Sequence, residues 1–280
     1  MLRHRLALMV GGLSLVWACG SGGDTTTTVV ESTTATTAAP TTTASTEATT
    51  TNEAGPEGEL LVSAAASLTD AFAEVEAAFE AAHSFVDVVL NLGSSSSLRE
   101  QILEGAPADV FASADTSNMD QIAEADEVEG EAQIFVLNEL QIAVPAGNPA
   151  GITGLDDFAN EDLLIGLCAE EVPCGSFARE ALENAGVTPA IDTNEPDVRA
   201  LLTKVEAGEL DAGIVYLTDV LSTAGGVEGV DIPDEFNVIA AYPIAALVNA
   251  PNPDAAAAFV AFVLSDEGQT ILVGFGFSSP

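Results

Sequence analysis

Apolar and polar residues follow one another in blocks that predict strands and helices in turn. The segment "SLTDAFAEVEAAFEAA" (Ser67–Ala82) repeats apolar residues at helical spacing, namely Leu68, Phe72, Val75 and Phe79. Short apolar runs lie on either side of it, "ELLVSA" before and "FVDVVLNL" after, and both predict strands. The alternation continues through "ADVFASA", "DLLIGL" and "DAGIVYL" to a closing pair of helices. The pattern therefore predicts an α/β class, with helices on both faces of a parallel or mixed sheet.

Four strand-to-helix turns have unusual chemistry. They read "SAAASLTD", "NLGSSSSLRE", "EEVPCGSFARE" and "TNEPDVRA". In sheets of this class, ligands collect beyond the carboxyl ends of the strands, where helices begin. Each helix start offers unpaired backbone N–H groups and roughly half a positive charge. Several such starts directed at one point would form an anion site without any charged side chain.

Serine is in surplus at the second of these turns, where Ser94, Ser95, Ser96 and Ser97 follow one another. Ser97 with Glu100 resembles a capping box, and Ser67 with Asp70 does so at the first turn. Capping alone is one interpretation of both turns. A single cap does not account for four consecutive hydroxyls, however, and small hydroxyl side chains beside a glycine suit the binding of a tetrahedral oxyanion.

The formal net charge of -38 is extreme and argues against nucleic acid as a partner. The region predicted to fold has four cations: Arg99, Arg179, Arg199 and Lys204. All four lie on helices that start at the unusual turns. One hypothesis is that they weaken the repulsion between this acidic chain and an anion, and the alternative is that they form ordinary surface ion pairs.

The first 19 residues are typical of an export signal. Arg3 and Arg5 precede a short apolar run that ends in "VWAC", which predicts a lipoprotein signal with Cys19 as the lipidated residue. An ordinary secretory signal is the alternative. Residues 20–58 are rich in Thr, Ser and Ala, have little to bury, and are predicted to be a disordered tether.

The two remaining cysteines, Cys168 and Cys174, lie in "LCAEEVPCGSF". An exported protein permits a disulfide between them, and free thiols are the alternative. A metal site would need more ligands, because His4 and His83 are the only histidines of the chain. No histidine lies near a serine motif, so a Ser-His-Asp triad is unsupported and no catalytic residue is assigned.

Several of these stretches together resemble the periplasmic molybdate-binding proteins, which are the substrate-binding subunits of molybdate ABC importers. The resemblance rests on "VSAAASLTDAF", "GSSSSLREQILEGAPADVFASAD", "VPCGSFAREAL", "EPDVRALLTKVEAGELDAGIVYLTD" and "GFGF", in this order. It implies a hinged, two-lobed periplasmic-binding-protein fold of the type II solute-binding kind. Residues 59–140 and 242–280 would form one lobe and residues 141–241 the other, each a mixed sheet flanked by helices.

The resemblance also implies a ligand set made of uncharged donors in the cleft between the lobes. Ser67 and Ser95 would each donate a hydroxyl and a backbone N–H, Cys174 and Val198 would each donate a backbone N–H, and Tyr216 would donate its hydroxyl. Ser94 or Ser96 could replace Ser95 if the serine run shifts by one residue. The ligand would be molybdate or tungstate, with no cofactor and no metal beyond the oxyanion.

The function implied is that of a receptor, not an enzyme: a monomer, lipid-anchored on the outer face of the membrane, that delivers its ligand to an ABC permease. Three alternatives stay open at this point. They are a binding protein for another oxyanion such as sulfate, an exported serine hydrolase, and a surface adhesion lipoprotein.

Overall fold

The computed structural model describes residues 55–280. The predicted signal peptide, Cys19 and most of the predicted tether lie outside this range. The strands within it are β1 (Gly58–Ala65), β2 (Val86–Gly93), β3 (Val110–Ala112), β4 (Gln133–Pro145), β5 (Ile165–Cys168), β6 (Thr193–Glu195), β7 (Ala212–Tyr216), β8 (Val227–Asp231) and β9 (Ile239–Ala246).

The α-helices of the same region are α1 (Thr69–Ala82), α2 (Ser95–Leu103), α3 (Thr116–Glu124), α4 (Pro173–Asn184), α5 (Val198–Glu206), α6 (Leu217–Ser222), α7 (Pro253–Val263) and α8 (Asp266–Gly274). Two short 3₁₀ helices complete the set, Ala66–Leu68 and Leu155–Ala159. Strands and helices alternate through most of the chain, which confirms the predicted α/β class.

The strands form one mixed sheet in the order β2-β1-β3-β9-β4-β7-β5-β6, and β8 pairs with β4. Parallel pairs join β1 to β2 and β3, and also β5 to β6 and β7, whereas β9 and β4 run antiparallel to their neighbours. The long strand β4 pairs with β9 through residues 133–139 and with β7 through residues 140–143. We call the part from β2 to the start of β4 the first half-sheet, and the remainder the second half-sheet.

Burial follows the predicted helical spacing. Helix α1 buries Phe72, Val75 and Phe79, and the rings of Phe79 and Phe259 meet edge to face at 5.2 Å between centroids. Within residues 55–280, no single helix is both long and apolar enough to cross a membrane; α7 and α8 reach that length only as a pair, which bends by 62°. The apolar faces of α1 and α7 are instead packed into the core beside the first half-sheet.

Candidate functional site

One small cavity lies where strands of both half-sheets end. Its empty volume is about 200 Å³, including open solvent at its mouth. All five residues predicted to bind the ligand line it, together with seven others. The complete lining is Ala65, Ala66, Ser67, Ser94, Ser95, Ala114, Val172, Pro173, Cys174, Asp197, Val198 and Tyr216. The turns after β1, β2, β3, β5, β6 and β7 therefore meet at one point, as the ends of parallel strands do in α/β sheets.

The four consecutive serines have different roles. Ser94 is the N-cap of α2, and its hydroxyl accepts a hydrogen bond from the N–H of Ser97 at 3.2 Å. The Ser97 hydroxyl donates back to the carbonyl of Ser94 at 3.0 Å, and Ser96 Oγ lies 3.2 Å from Ser94 Oγ. The predicted capping box of Ser97 with Glu100 is thus wrong, because the helix begins two residues before Ser97. Ser94 and Ser95 both line the cavity, but the Ser94 hydroxyl is used by the cap, whereas the Ser95 hydroxyl takes no part in it.

The neighbours of Ser95 determine whether its hydroxyl donates or accepts a hydrogen bond. The backbone N–H of Ala114 donates to Ser95 Oγ at 2.9 Å, within the buried turn that follows β3. A hydroxyl has one proton to donate, and here an N–H group already occupies a lone pair of its oxygen. The Ser95 proton therefore remains available for an acceptor in the cavity. As the first residue of α2, Ser95 also has a backbone N–H without an intrahelical partner.

Ser67 does not cap a helix. It lies within the 3₁₀ helix Ala66–Leu68, and α1 starts at Thr69 with Leu68 as its N-cap and no side-chain cap bond. The predicted capping box with Asp70 is therefore wrong as well. The Ser67 hydroxyl instead lies 2.9 Å from the hydroxyl of Tyr242 on β9. Its position at the cavity wall is set by this long-range contact.

Helix α4 begins close to the end of β5. Cys168, the last residue of β5, forms a disulfide with Cys174 in the first turn of α4, with their Cα atoms 5.9 Å apart. A side chain at Gly175 would overlap the carbonyl oxygens of Cys168 and Ala169. The bond and the glycine together hold the helix start against the strand end, where the N–H of Cys174 has no intrahelical partner.

Helix α5 brings a second free N–H group to the cavity. Asp197 is its N-cap, and the Asp197 carboxylate accepts from the N–H of Ala200 at 2.9 Å. Val198 is the first helical residue, so its N–H is one of the four that a helix leaves without an internal partner. The cap satisfies the N–H of Ala200 and leaves the N–H of Val198 at the cavity wall.

Tyr216 is the one lining residue with a buried hydroxyl that makes no hydrogen bond of good geometry in the described part of the chain, although the phenol of Tyr242 lies close enough to interact with it. The residue is only 1% exposed and ends β7. Burial, and next the neighbouring Tyr242 phenol, raise the pKa of Tyr216, so it stays protonated and is a potential donor. A buried hydroxyl without a partner costs about 1–3 kcal/mol, which a ligand oxygen in the cavity would recover.

The side chain of Asp219 bonds to the backbone of Tyr216. The Asp219 carboxylate accepts from the N–H of Tyr216 at 3.1 Å, while its other oxygen is buried without a partner among the described residues. Burial raises the pKa of Asp219 from 3.8 to about 7, and the bond from Tyr216 and the charge of Arg199 offset this rise only in part.

This raised pKa predicts a change of stability with pH. Between pH values of about 4 and 7 the unfolded chain loses the Asp219 proton and the folded protein keeps it, so folding stability falls as pH rises. Asp219→Asn keeps an acceptor for Tyr216 and removes this effect. Urea unfolding should give the variant the same free energy of unfolding as wild type at pH 4. At pH 8 the free energy of unfolding of the variant should be higher by on the order of 4 kcal/mol. An equal pH slope in both proteins would contradict the raised pKa.

The cations of the described region all have protein partners. Arg99 donates to Asn118 at 2.8 Å, and Arg179 donates to the carbonyl of Cys168 at 2.9 Å. Arg199 pairs with Asp70 of α1 at 3.0 Å, and Lys204 pairs with Glu195 at 2.6 Å. None of the four lines the cavity. The wall therefore offers hydroxyl and N–H donors, and its one ionisable carboxylate, Asp197, caps a helix.

Some residues of the site were not identified from the sequence. Ala65, Ala66, Val172 and Pro173 contribute backbone and apolar surface to the wall, and nothing in their residue type indicates a ligand. Ala114 and Tyr242 lie behind the two serines and bond to their hydroxyls. The one available signal for Tyr242 was its rarity, since the chain has only two tyrosines.

Known proteins resemble this chain in sequence and in fold. A family model of bacterial extracellular solute-binding proteins matches residues 60–278. The molybdate-binding protein ModA of Mycobacterium tuberculosis is 38% identical over 221 residues, which are 79% of this chain and 85% of that protein. The substrate-binding domain of a putative molybdenum ABC transporter from Clostridium difficile is 30% identical, with a TM-score of 0.60, over 79% of this chain and 99% of that one.

The sulfate-binding protein SubI of Mycobacterium tuberculosis has the same fold, with a TM-score of 0.70 over 80% of this chain and 87% of its own. Its identity is only 18%, so this likeness shows the fold alone. Proteins of this family bind solutes and are not enzymes. The chain belongs to the bacterial extracellular solute-binding proteins and, among them, to the family of periplasmic molybdate-binding proteins.

Proposed function

We propose that this protein captures molybdate outside the cytoplasm and delivers it to an ABC permease. Ser67, Ser95, Cys174, Val198 and Tyr216 bind the oxyanion, and no cofactor takes part. The hydroxyl of Tyr216 carries this proposal, because it is a buried donor without a well-formed hydrogen bond and lies in a cavity wall that also offers serine hydroxyls and N–H groups of helix starts. Tungstate, a tetrahedral dianion like molybdate, fits the same donors and is expected to bind too.

The binding step in this proposal is the replacement of water by fixed dipoles. Serine hydroxyls, a phenol and the N–H groups of three helix starts converge on the ligand, and hydrogen bonds to an ionised acceptor are the stronger kind. Since these donors are neutral, the complex carries the ligand's two negative charges without a paired cation. Helix starts favour negative charge, which offsets part of the cost of removing the ligand from water.

Capture by closure of two lobes is part of the proposal. Residues 59–140 and 242–280 move against residues 141–241, and β4 connects the two because it pairs with both β9 and β7. The Arg199–Asp70 ion pair joins α5 to α1 across this boundary. We further propose that Cys19, outside the described residues, carries a lipid that holds the protein at the outer face of the membrane.

Thermal unfolding with added anions tests the proposal. Molybdate at 100 times its dissociation constant should stabilise the protein by about 2.7 kcal/mol, and tungstate should do the same. Sulfate and phosphate at equal concentration are the matched controls and should give a much smaller shift. Stabilisation by sulfate in place of molybdate would support the related alternative of a sulfate-binding protein, and no shift with any anion would refute an oxyanion receptor.

Association kinetics test the role of the charges. Because the net charge is -38 and three of the four cations near the helix starts are paired with carboxylates, a dianion should be repelled at long range. Sodium chloride screens charges beyond about 10 Å at 0.1 M. The association rate constant for molybdate, measured by stopped flow, should therefore rise roughly 2- to 10-fold between 10 and 200 mM salt. A rate that falls with salt would instead show that the four cations attract the ligand.

A further inference from the structure

A chain of buried hydrogen bonds lies directly behind Ser67. The Tyr242 hydroxyl is 2.9 Å from Ser67 Oγ and 3.4 Å from Nδ2 of Asn138, and that amide nitrogen is 2.8 Å from Oγ1 of Thr218. These four residues come from the 3₁₀ helix after β1, from β9, from β4 and from α6. Tyr242 and Asn138 do not line the cavity, so neither touches a ligand bound there.

The neighbouring residues fix the direction in which these groups donate. The Oδ1 atom of Asn138 accepts from the N–H of Glu139 at 3.0 Å, so the amide nitrogen must face Thr218 and Tyr242. An amide nitrogen only donates, and the Tyr242 oxygen is therefore its acceptor. Ser67 Oγ lies 2.9 Å from the Tyr242 oxygen and has no other donor among the described residues, so the Tyr242 proton is directed to it.

This direction has a consequence for Ser67. Once its oxygen accepts from Tyr242, the Ser67 proton is the part of the hydroxyl left to bond, and the open side of Ser67 is the cavity. Ser95 has the same arrangement with a different donor, since the N–H of Ala114 occupies its oxygen. Both serines thus present a proton and not a lone pair to an anion.

The position of Tyr242 is itself well fixed. The residue is fully buried, and its ring packs edge to face against Tyr216 at 5.8 Å and Phe277 at 5.6 Å between centroids. Burial also raises the pKa of Tyr242, so the phenol keeps the proton that it donates. A phenol held in this way loses little further freedom when a ligand binds, which favours affinity.

We propose that Tyr242 is a positioning residue for molybdate, and that Asn138 orients it. Tyr242 acts through Ser67 by fixing which way the Ser67 hydroxyl donates. This inference rests on the proposed function, because it assigns to a residue outside the cavity an effect on the affinity for that ligand.

A double-mutant cycle, measured by isothermal titration of molybdate, tests the inference. Tyr242→Phe keeps the buried ring and removes only the hydroxyl. It should weaken binding about 3- to 10-fold, as expected for one hydrogen bond. In a Ser67→Ala background the same change should alter affinity by less than about 2-fold, because the group that Tyr242 positions is gone. In a Ser95→Ala background it should keep its full effect, since Ser95 has a separate donor.

The outcomes separate the two proposals. If wild type does not bind molybdate, the proposed function and this inference both fail. If wild type binds, and Tyr242→Phe either leaves affinity unchanged or weakens it equally with and without Ser67, only the inference fails. In the second case the Tyr242 hydroxyl acts through a group other than Ser67. Thermal unfolding of each variant without ligand verifies that the compared proteins are folded.

Discussion

Replacing Ser67 and Ser95 together by alanine is expected to abolish molybdate binding in a protein that still folds. Each serine loses a hydroxyl that faces the cavity, and a hydrogen bond to a charged acceptor contributes about 1.5–3 kcal/mol. The pair therefore contributes about 3–6 kcal/mol, which corresponds to a loss of affinity of roughly 10²- to 10⁴-fold. Isothermal titration and the thermal shift with molybdate both measure this loss.

The double variant should remain folded because neither serine caps a helix. Ser94 caps α2, and α1 has no side-chain cap. Each substitution does leave one buried donor unpaired, Tyr242 or the N–H of Ala114, so the unliganded protein should lose about 1–3 kcal/mol per site. A variant that no longer unfolds cooperatively would show that these serines are mainly structural.

Ser96→Ala is the matched control from the same run of serines. Ser96 is buried and contacts Ser94, but it does not line the cavity. Its removal should leave the affinity for molybdate within about 2-fold and affect only stability, by about 1 kcal/mol. A larger loss of affinity for Ser96→Ala than for Ser95→Ala would mean that Ser96 is the serine that contacts the ligand.

Tyr216→Phe is expected to change stability and affinity in opposite directions. Without ligand, the variant no longer buries a hydroxyl that lacks a partner, and its free energy of unfolding should rise by about 1 kcal/mol. With ligand, the lost donor should weaken binding by about 10- to 100-fold. Urea unfolding with and without molybdate measures both effects in the same protein.

The opposite changes expected in stability and in affinity make this prediction specific. A core tyrosine with an ordinary hydrogen bond would lose stability on conversion to phenylalanine, and ligand affinity would not change. If Tyr216→Phe destabilises the unliganded protein and leaves the affinity unchanged, the hydroxyl has a structural partner and is not a ligand donor. Tyr216→Phe keeps the ring, whose centroid lies 5.8 Å from that of Tyr242. A loss of ring packing therefore does not contribute to the measured changes.

The apolar spacing predicted the main helices well, and the misses have physical reasons. Helices α1 and α7 bury regular apolar faces, and such spacing is readable from sequence. Helix α3 buries only Asn118, Met119 and Ile122, which is too few for its pattern to indicate a helix. Such a helix forms mainly because it packs on neighbours that are distant in sequence.

Strand β9 was not predicted, although it lies in the middle of the sheet. It contains Pro243, and proline in a central strand cannot donate to the ladder. The structure accommodates it at an irregularity of β4, where the register shifts between Ile134 and Val136 opposite Pro243. A bulge that depends on a strand about 100 residues away is not visible in the local sequence.

The location of the site was largely predictable, and the function of each serine was not. The turns that gather at the cavity follow from the α/β pattern, because parallel strands end on one side. Within the run Ser94 to Ser97, however, more than one serine has the spacing of a cap. The choice depends on Ala114 for Ser95 and on Tyr242 for Ser67, contacts that span 19 and 175 residues. The division into residues 59–140 with 242–280 and residues 141–241 stays a prediction.

The central claim is that neutral dipoles alone hold the doubly charged ligand. A crystal structure of the protein with molybdate tests it most directly. We expect the oxyanion in the cavity, with its oxygens about 2.7–3.1 Å from the hydroxyls of Ser67, Ser95 and Tyr216 and from the N–H groups of Cys174 and Val198. Molybdate bound by an arginine, a lysine or a metal ion, or bound outside this cavity, would contradict the account.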